Sequence, residues 1–204
     1  MTGEKPTIFD RNVPGTTEVL QRSVIGIAGC GGLGSNAAVS LARAGAGTLI
    51  LADRDSVELS NLNRQCYFRA DIGEPKTEAL ARHLREINEN IRLALHRAEL
   101  TPGNVMEIFG EADLLIEALD RAESKRWLIE AWCSAAGSRP IVVGSGIGGA
   151  GRTGDLKVRS SGNIHICGDE QSSSEEGLCA PRVCAVASMQ ANTAIELLMK
   201  TKGK

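Results

Sequence analysis

The 204-residue sequence lacks a charge imbalance, a long hydrophobic run and a signal peptide. Lysine and arginine (23) nearly balance aspartate and glutamate (25), so the net charge of -2 shows no surface built for nucleic acid. No apolar run reaches membrane-spanning length, and the first twenty residues have no apolar core of the signal-peptide kind. We therefore expect a soluble, cytoplasmic protein that contacts neither membrane nor nucleic acid and binds any anion locally.

The cysteines lack the spacing of a metal site. They are Cys30, Cys66, Cys133, Cys167, Cys179 and Cys184. No two of them form a C-x-x-C pair, and four residues separate the closest two, so we expect no structural zinc. Without a signal peptide, reduced thiols are a better expectation than a disulfide framework, several of them buried as small hydrophobic side chains.

The length of the chain suits one domain, residues 1–204, with a single core. Apolar segments alternate with amphipathic ones, which predicts βαβ units in a Rossmann-like α/β fold, a mainly parallel sheet flanked by helices. Past residue 148 the pattern changes, and we expect antiparallel strands around a Ser-Gly-Asn turn and a last helix opened by Pro181. Strands are predicted at 23–29, 48–53, 91–100, 112–120 and 140–146, and helices at 33–47, 76–90, 102–110 and 122–137.

A glycine-rich loop, "GCGGLG", lies between the first predicted strand and the first predicted long helix. Gly29, Gly31 and Gly34 have the G-x-G-x-x-G spacing, which lets a phosphate approach backbone N–H groups at a helix N-terminus. Asp53 ends the second predicted strand, where a carboxylate can accept hydrogen bonds from ribose hydroxyls. This combination favours a nucleotide site over a glycine turn beside a solvated aspartate.

The polar residues after Asp53 indicate which nucleotide binds. A dinucleotide enzyme needs little charge beyond Asp53, yet the chain continues with Asn61, Arg64, Gln65 and then Lys76. Such donors fit a triphosphate, whose charge must be neutralised during attack at phosphorus. Alone, Arg64 or Lys76 would be interpreted as surface charge, but together they favour ATP. An NAD-linked oxidoreductase stays as an alternative.

Four segments resemble a known family. "GCGGLGSN", "LADRDSVELSNLNRQCYF", "DIGEPK" and the aspartate of "EALD" are similar to the ThiF/MoeB/HesA adenylyltransferases, relatives of the ubiquitin-activating enzymes, over residues 10–200. The chain most resembles the short ThiF-type proteins, which activate the ThiS-like sulfur carrier of thiamine-thiazole synthesis. The resemblance implies that a small ubiquitin-like carrier attacks the α-phosphate of ATP with its C-terminal Gly-Gly carboxylate, which gives an acyl-adenylate and pyrophosphate.

The resemblance also implies roles for individual residues. Asn61, Arg64 and Lys76 would contact the phosphates, and Asp53 would hold the ribose. Asp120, at the end of the fourth strand, would bind Mg2+, which prefers oxygen ligands. The glycines that would border the nucleotide are Gly29, Gly31, Gly32 and Gly34.

Three further residues are weaker candidates within the resemblance. Asp55 and Gln65 are second-rank candidates for contacts with the nucleotide. Arg11 lies where the family often has an arginine that reaches the ATP of the neighbouring protomer, a role that requires a homodimer.

The sequence also departs from the family. It lacks the two C-x-x-C pairs with which many longer members bind zinc, so the resemblance implies no zinc here. Many members place a catalytic cysteine before the last helix, but Cys179 follows that place, and we interpret it as a buried or helix-start thiol. Whether Cys179 or Cys184 forms a covalent intermediate with the carrier stays open. A second glycine cluster, residues 144–151, predicts a flexible segment that accommodates the carrier tail.

Several functions stay open at the level of sequence. The carrier could belong to a molybdopterin or another sulfur pathway, because similar tails serve several of them. A relative that adenylates a modified tRNA base is a variant, against which the charge balance argues. A non-catalytic nucleotide sensor is a third class, since the chain is short and has no clear catalytic cysteine.

Overall fold

The computed structural model describes residues 6–203 and contains one seven-stranded sheet. Its strands are β1 Val24–Ala28, β2 Thr48–Ala52, β3 Arg92–His96, β4 Leu114–Glu117, β5 Ile141–Gly144, β6 Lys157–Ser161 and β7 Ile164–Gly168. They lie in the order β3-β2-β1-β4-β5-β7-β6. Neighbouring strands are parallel except β6 and β7, which pair antiparallel. The predicted mainly parallel α/β fold with antiparallel pairing near its C-terminal part is confirmed.

Helices cover both faces of the sheet. They are α1 Thr16–Gln21, α2 Gly32–Ala44, α3 Lys76–Ile87, α4 Val105–Phe109, α5 Ala122–Ala135 and α6 Ala180–Lys202. Helices α1, α2, α3 and α6 pack on one face, and α4 and α5 pack on the other. No helix of residues 6–203 is both long enough and apolar enough to cross a membrane. Helix α1 was not predicted, because six residues are too few to display a helical period.

Strand β1 shows why the central strands are almost continuously apolar. Ile25 and Ile27 are buried on the face that α2 and α6 cover. On the opposite face, a Cβ atom at Gly26 would lie 2.8 Å from the Phe109 ring and 2.9 Å from the Leu115 side chain. Since both faces of the strand are buried, no position in it is left for a solvated polar residue.

The order of the strands creates a crevice at one end of the sheet. The chain moves outward from β1 to β2 and β3, and then crosses over to β4 and β5 on the other side of β1. The loops that follow β1 and β4 therefore diverge. In open α/β sheets, ligands bind at such a switch point, outside the carboxyl ends of the strands.

Two glycines let α2 begin directly at the end of β1. A Cβ atom at Gly34 would lie 1.8 Å from the carbonyl oxygen of Gly29. Gly29 itself has a φ of 97°, and a Cβ atom there would lie 2.7 Å from the carbonyl oxygen of Ala118. Glycine is therefore needed at both positions for the close packing of loop, helix and β4.

The second glycine cluster, residues 144–151, packs tightly against the loop that follows β7. A Cβ atom at Gly146 would lie 1.9 Å from the Asp169 carboxylate, and one at Gly148 would lie 1.8 Å from the carbonyl oxygen of Ser173. At these two positions the small residues serve close packing between two loops, and the expected contact of this cluster with the carrier tail stays a prediction.

A buried ion pair joins these two loops to α6. The guanidinium of Arg182, in the first turn of α6, donates one hydrogen bond to the Asp169 carboxylate and another, of 2.7 Å, to the carbonyl oxygen of Gly151. Burial opposes ionisation of Asp169, whereas the backbone N–H groups of Ser172 and Gln171 and the Ser172 hydroxyl favour it. Together with the charge of Arg182 they lower the pKa of Asp169 to about 2.

The close contact at Gly34 predicts a large effect of one methyl group. We expect Gly34→Ala to lower the free energy of unfolding by about 3 kcal/mol or more, because backbone must move to relieve the clash. Urea unfolding measures this change. Gly154→Ala is the matched control, since no heavy atom lies within 4 Å of its Cβ position, and it should alter stability by less than about 1 kcal/mol. Equal stability of the two variants would contradict the packing.

The lowered pKa of Asp169 predicts a pH-dependent stability. The ionised carboxylate stabilises the fold fully above the ordinary aspartate pKa of 3.8, and this contribution is lost as the pH falls through about 2. We expect Asp169→Asn to cost about 3 kcal/mol at neutral pH, because Arg182 stays buried without a counter-ion. Urea unfolding of wild type and Asp169→Asn between neutral pH and pH 2 measures this cost. The difference between their free energies of unfolding should decrease as the pH falls toward 2.

The control for this experiment is Glu196→Gln. Glu196 pairs with Lys200 on the exposed surface of α6, so its loss should change stability little at any pH. A difference between wild type and Asp169→Asn that stays constant down to pH 2 would show that the Asp169 carboxylate is not stabilised in its ionised form.

Candidate active site

One cavity at the carboxyl ends of β1, β2 and β4 brings together most of the predicted site residues. It is also lined by residues from the loop after β3 and from the start of α5. The predicted residues that line it are Gly29, Gly31, Gly32, Asp53, Asp55, Asn61, Arg64, Gln65, Lys76 and Asp120. The tertiary structure therefore places the glycine loop, two basic side chains and three carboxylates around one space.

Gly34 does not line this cavity. It lies beneath the glycine loop, where its hydrogen atom faces the carbonyl oxygen of Gly29. The third glycine of this spacing thus serves the packing of helix on loop, and its role at the border of a nucleotide stays a prediction.

Arg11 does not line the cavity either. It is exposed in the turn before α1, and the adjacent Asn12 donates a hydrogen bond of 2.9 Å to the carbonyl oxygen of Ala44, at the C-terminal end of α2. The cavity lies at the N-terminal end of this helix, whose 13 residues span about 20 Å. Arg11 can therefore serve a nucleotide only in the cavity of another protomer, and that role stays a prediction.

Asp53 joins the end of β2 to the glycine loop. Its Oδ2 accepts a hydrogen bond of 2.7 Å from the backbone N–H of Cys30, and its Oδ1 accepts one of 2.8 Å from Asp55. Burial raises the pKa of the Asp53 carboxyl, while the charge of Lys76 and the two N–H donors oppose that rise. A carboxylate has about four lone-pair sites, so acceptor capacity is left for a ligand in the cavity.

Lys76, at the start of α3, is held from two sides. Its Nζ lies 2.9 Å from Oδ2 of Asp55 while the rest of its side chain is buried. The hydroxyl of Tyr67 donates toward two carbonyl oxygens, at 2.8 Å from that of Cys30 and 3.2 Å from that of Lys76. Tyr67 thus ties α3 to the glycine loop, and Asp55 orients the ammonium group. Sequence reasoning missed Tyr67, because its partners are backbone atoms.

Arg64 carries a positive charge that no carboxylate of residues 6–203 compensates. Its Nη1 donates to the carbonyl oxygen of Ser60 at 3.1 Å and to Oδ1 of Asn63 at 2.8 Å, both neutral acceptors. Its aliphatic stem lies beside Gly32, at the N-terminus of α2. A guanidinium without a counter-ion beside a helix N-terminus is suited to bind an anion.

Asn61 and Gln65 flank Arg64 in the chain and line the cavity with it. Oδ1 of Asn61 accepts a hydrogen bond of 3.1 Å from the backbone N–H of Glu58 and caps the short 3-10 helix Leu59–Asn61. Its carbonyl oxygen accepts hydrogen bonds from the backbone N–H groups of Arg64 and Gln65. The side-chain oxygen of Gln65 is buried and has no hydrogen-bond partner within residues 6–203. The Gln65 amide is therefore free to bind a ligand in the cavity.

Asp120 lies in a short loop after β4 that a buried ion pair holds in place. Glu117 is fully buried and accepts hydrogen bonds of 2.8 Å from Lys125 and 2.7 Å from the backbone N–H of Leu119. Lys125 also donates a hydrogen bond of 2.9 Å to the carbonyl oxygen of Gly144, on β5. Burial raises the pKa of Glu117, and the charge of Lys125 opposes that rise. A glutamate that ends the apolar run "LLIE" is the sequence signal that could have revealed this pair.

The carboxylate of Asp120 is exposed and has no hydrogen-bond partner in the described part of the chain. No group of three or more His, Cys, Asp and Glu side chains that could hold a metal ion occurs among residues 6–203. Magnesium usually binds one or two carboxylates together with substrate phosphates and water. Asp120 therefore fits an ion that arrives with a nucleotide, not an ion held by protein ligands alone.

The lining of the cavity also includes three apolar side chains, Leu100, Leu119 and Trp127. Arg54 and Glu99, which line it as well, form an ion pair at 2.6 Å. Apolar and aromatic walls of this kind suit the base of a nucleotide. Sequence reasoning missed Glu99 and Leu100, because the predicted strand 91–100 ends early at His96 and residues 98–100 line the cavity.

Cys179 is the exposed N-cap residue of α6, directly after Leu178, which lines the cavity. The predicted position of this thiol at the start of a helix is confirmed, whereas the alternative prediction of a buried thiol was wrong. Cys184 lies in the second turn of the same helix and is half-buried.

Comparisons with known proteins agree with this geometry. A family model described as ThiF family matches residues 8–204. The chain is 33% identical over 196 residues to the sulfur carrier protein ThiS adenylyltransferase of Escherichia coli (strain K12), which covers 93% of this chain and 77% of that protein. It is 37% identical over 141 residues to adenylyltransferase and sulfurtransferase MOCS3 of Arabidopsis thaliana, which covers 69% of this chain but only 30% of that longer protein.

Solved structures show the same fold. The complex of E. coli tRNA N6-threonylcarbamoyladenosine dehydratase, TcdA, with ATP superposes with a TM-score of 0.82 at 25% identity and covers 92% of this chain and 90% of that one. E. coli MccB with ATP superposes with a TM-score of 0.74 at 23% identity over 91% of this chain and 58% of that one, a likeness of fold alone.

Proposed function

The chain belongs to the ThiF family and is an adenylyltransferase, and from this we propose that it transfers AMP from ATP to the C-terminal Gly-Gly carboxylate of a small ubiquitin-like sulfur carrier protein. One observation carries the proposal. The glycine loop, the Asp53 carboxylate and the uncompensated guanidinium of Arg64 face one cavity. An NAD-linked oxidoreductase needs little charge beyond Asp53, because its pyrophosphate lies at the helix N-terminus.

The residues of the cavity suggest how ATP would bind. Its phosphates would approach the backbone N–H groups at the N-terminus of α2, which Gly31 and Gly32 leave uncovered. Asp53 would accept hydrogen bonds from the ribose, and the base would lie toward Trp127 and Leu119. TcdA, which has the same fold, has been solved with ATP, which supports ATP over a dinucleotide.

The reaction requires no protein nucleophile. A carboxylate oxygen of the carrier would form a bond to the α-phosphorus while the bond from that phosphorus to the β-phosphate bridging oxygen breaks, and pyrophosphate leaves. Arg64 and Lys76 would stabilise the negative charge that shifts between these oxygens. Asp55 would keep Lys76 in place through their 2.9 Å contact, and Asn61 would fix the segment that carries Arg64.

Mg2+ bound with ATP would neutralise part of the phosphate charge. Asp120 is the protein ligand that we propose for it, with the remaining ligands supplied by phosphate oxygens and water. The buried pair of Glu117 and Lys125 would orient Asp120 by fixing the loop after β4.

We propose a ThiS-like carrier of thiamine-thiazole synthesis as the substrate. The relative named for ThiS aligns with nearly the whole chain, whereas the chain spans less than a third of the MOCS3 relative. We also propose one cytoplasmic catalytic domain over residues 1–204 that acts as a homodimer, because Arg11 can contribute only to the cavity of a partner protomer.

The carrier requirement can be tested by exchange of labelled pyrophosphate into ATP. We expect exchange only when a ThiS-like carrier is present, because the adenylate forms on its terminal carboxylate. The same carrier without its last two glycines is the control and should give none. Absence of exchange with every ThiS-like or molybdopterin-type carrier would contradict the proposal. Stimulation by tRNA alone would instead indicate a base-modifying enzyme, and binding of NADH without competition from ATP would indicate an oxidoreductase.

The role of Arg64 can be tested with a matched arginine in the same segment. We expect Arg64→Ala to lower carrier-dependent exchange about 100-fold to 1,000-fold, because charge at the transition state is no longer neutralised. Arg69→Ala is the control, since Arg69 is exposed outside the cavity, and it should keep nearly full activity. Equal losses in both variants would point to a general effect of charge on this segment. Circular dichroism of both variants would confirm that each is folded.

A further inference from the structure

Two cysteines from distant parts of the chain meet beside the active-site segment. Cys66 directly follows Arg64 and Gln65, and Cys184 lies in the second turn of α6. Their thiols donate to the same oxygen, Oδ1 of Asn36, over 3.1 Å from Cys66 and 3.3 Å from Cys184. The two sulfur atoms can therefore lie no farther apart than the sum of these distances.

The backbone around Cys66 is fixed close to α2. Its N–H donates a hydrogen bond of 3.1 Å to the hydroxyl of Ser35, and its carbonyl oxygen lies 3.1 Å from Nδ1 of His83. Helix α6, which carries Cys184, packs along α2 as well. The two thiols are thus held near each other by the packing of the fold, and rotation of their side chains can change the distance between them.

Both cysteines are partly exposed, whereas Cys30 and Cys167 are buried. Cys133 is also partly exposed, but its thiol lies beside Asn163 in another part of the fold. Cys179 precedes Cys184 by five residues along α6, a rise of about 7.5 Å, which exceeds the usual Cα separation of a disulfide. Cys66 is therefore the partner available to Cys184.

We propose that Cys66 and Cys184 form a reversible disulfide that ties the active-site segment to α6. With hydrogen peroxide as the oxidant, the two thiols lose their hydrogen atoms, the sulfur–sulfur bond forms, and the peroxide is reduced to two water molecules. A small dithiol restores both thiols and is itself oxidised. Burial raises the pKa of both thiols, so little thiolate is present at neutral pH and the reaction with peroxide is slow.

The disulfide weakens the binding of ATP. The sulfurs must approach to about 2 Å, which removes both thiols from Asn36. The amide nitrogen of Asn36 donates to the carbonyl oxygens of Arg64, at 2.9 Å, and Gly32, at 2.6 Å, and so aligns the guanidinium with the glycine loop. Closure therefore shifts the segment that carries Arg64. This consequence rests on the proposed function, whereas the disulfide itself does not.

Mass spectrometry of the full chain tests the disulfide. The reduced protein is treated with hydrogen peroxide, free thiols are blocked with N-ethylmaleimide, and the protein is digested with trypsin without reduction. Cleavage after arginine and lysine places Cys66 in peptide 65–69, Cys184 in 183–200 and Cys179 in 160–182. We expect a cross-link between peptides 65–69 and 183–200 that disappears after treatment with dithiothreitol.

A pair of matched variants sharpens this test. Cys184→Ser should abolish the cross-link and leave Cys66 free to react with the maleimide, whereas Cys179→Ser should leave the cross-link unchanged. Cys66→Ser provides the reciprocal variant if the first does not fold. A cross-link of peptide 160–182 in place of 183–200, or blocked thiols at both Cys66 and Cys184 after oxidation, would overturn the proposal.

The effect on the nucleotide is measured separately, by titration of reduced and oxidised protein with a fluorescent ATP analogue. We expect oxidation to weaken binding at least fivefold and dithiothreitol to restore it, and bound ATP to slow the formation of the cross-link, because coupling between two sites is reciprocal. Equal affinity of the two forms would overturn the link to the active site. If the protein forms the cross-link on oxidation but binds no ATP in its reduced form, the proposed function is overturned, whereas the proposed disulfide is not.

Discussion

The close contact between the glycine loop and the start of α2 is the constraint on which the cavity depends. Because Gly34 has no side chain, the helix begins against the carbonyl oxygen of Gly29 and its N-terminal N–H groups open at the end of β1. Asp53 then fixes the loop to β2, and Tyr67 fixes it to α3. The ends of β2 and α3 that carry Asp53 and Lys76 are thus both joined to one short turn, so displacement of that turn would disturb both of these cavity residues together.

Charges in this protein fall into two groups with different roles. Two buried ion pairs, Glu117 with Lys125 and Arg182 with Asp169, fix loops of the fold. In each pair both charges are neutralised, because an unpaired buried charge would cost several kcal/mol. Arg64, in contrast, has only neutral partners within residues 6–203. A site that binds a polyanion needs positive charge that the fold itself does not neutralise. The two buried pairs fix loops of the fold without using the charge of Arg64.

Several parts of the fold and site could be predicted because their signals are local. The central strands are apolar runs in the sequence because they are buried on both faces of the sheet. The three glycines and Asp53 lie within 25 residues of one another along the chain. The sequence pattern did not reveal where packing requires a glycine. Gly34 and the cluster at 144–151 have the composition of binding or flexible segments, yet a Cβ atom at Gly34, Gly146 or Gly148 would collide with an atom of a neighbouring loop.

The sequence by itself determined the alternation of strands and helices, the family and the residue types of the nucleotide site, because each depends on periodicity or on motifs of short range. Only the tertiary structure decided that Arg11 lies away from its own cavity, that Asp169 and Arg182 form a pair, and that Cys66 meets Cys184 at Asn36. These relations join residues that no local pattern connects. They arise from the packing of α6 on α2 and from the order of the strands, which are properties of the folded chain as a whole.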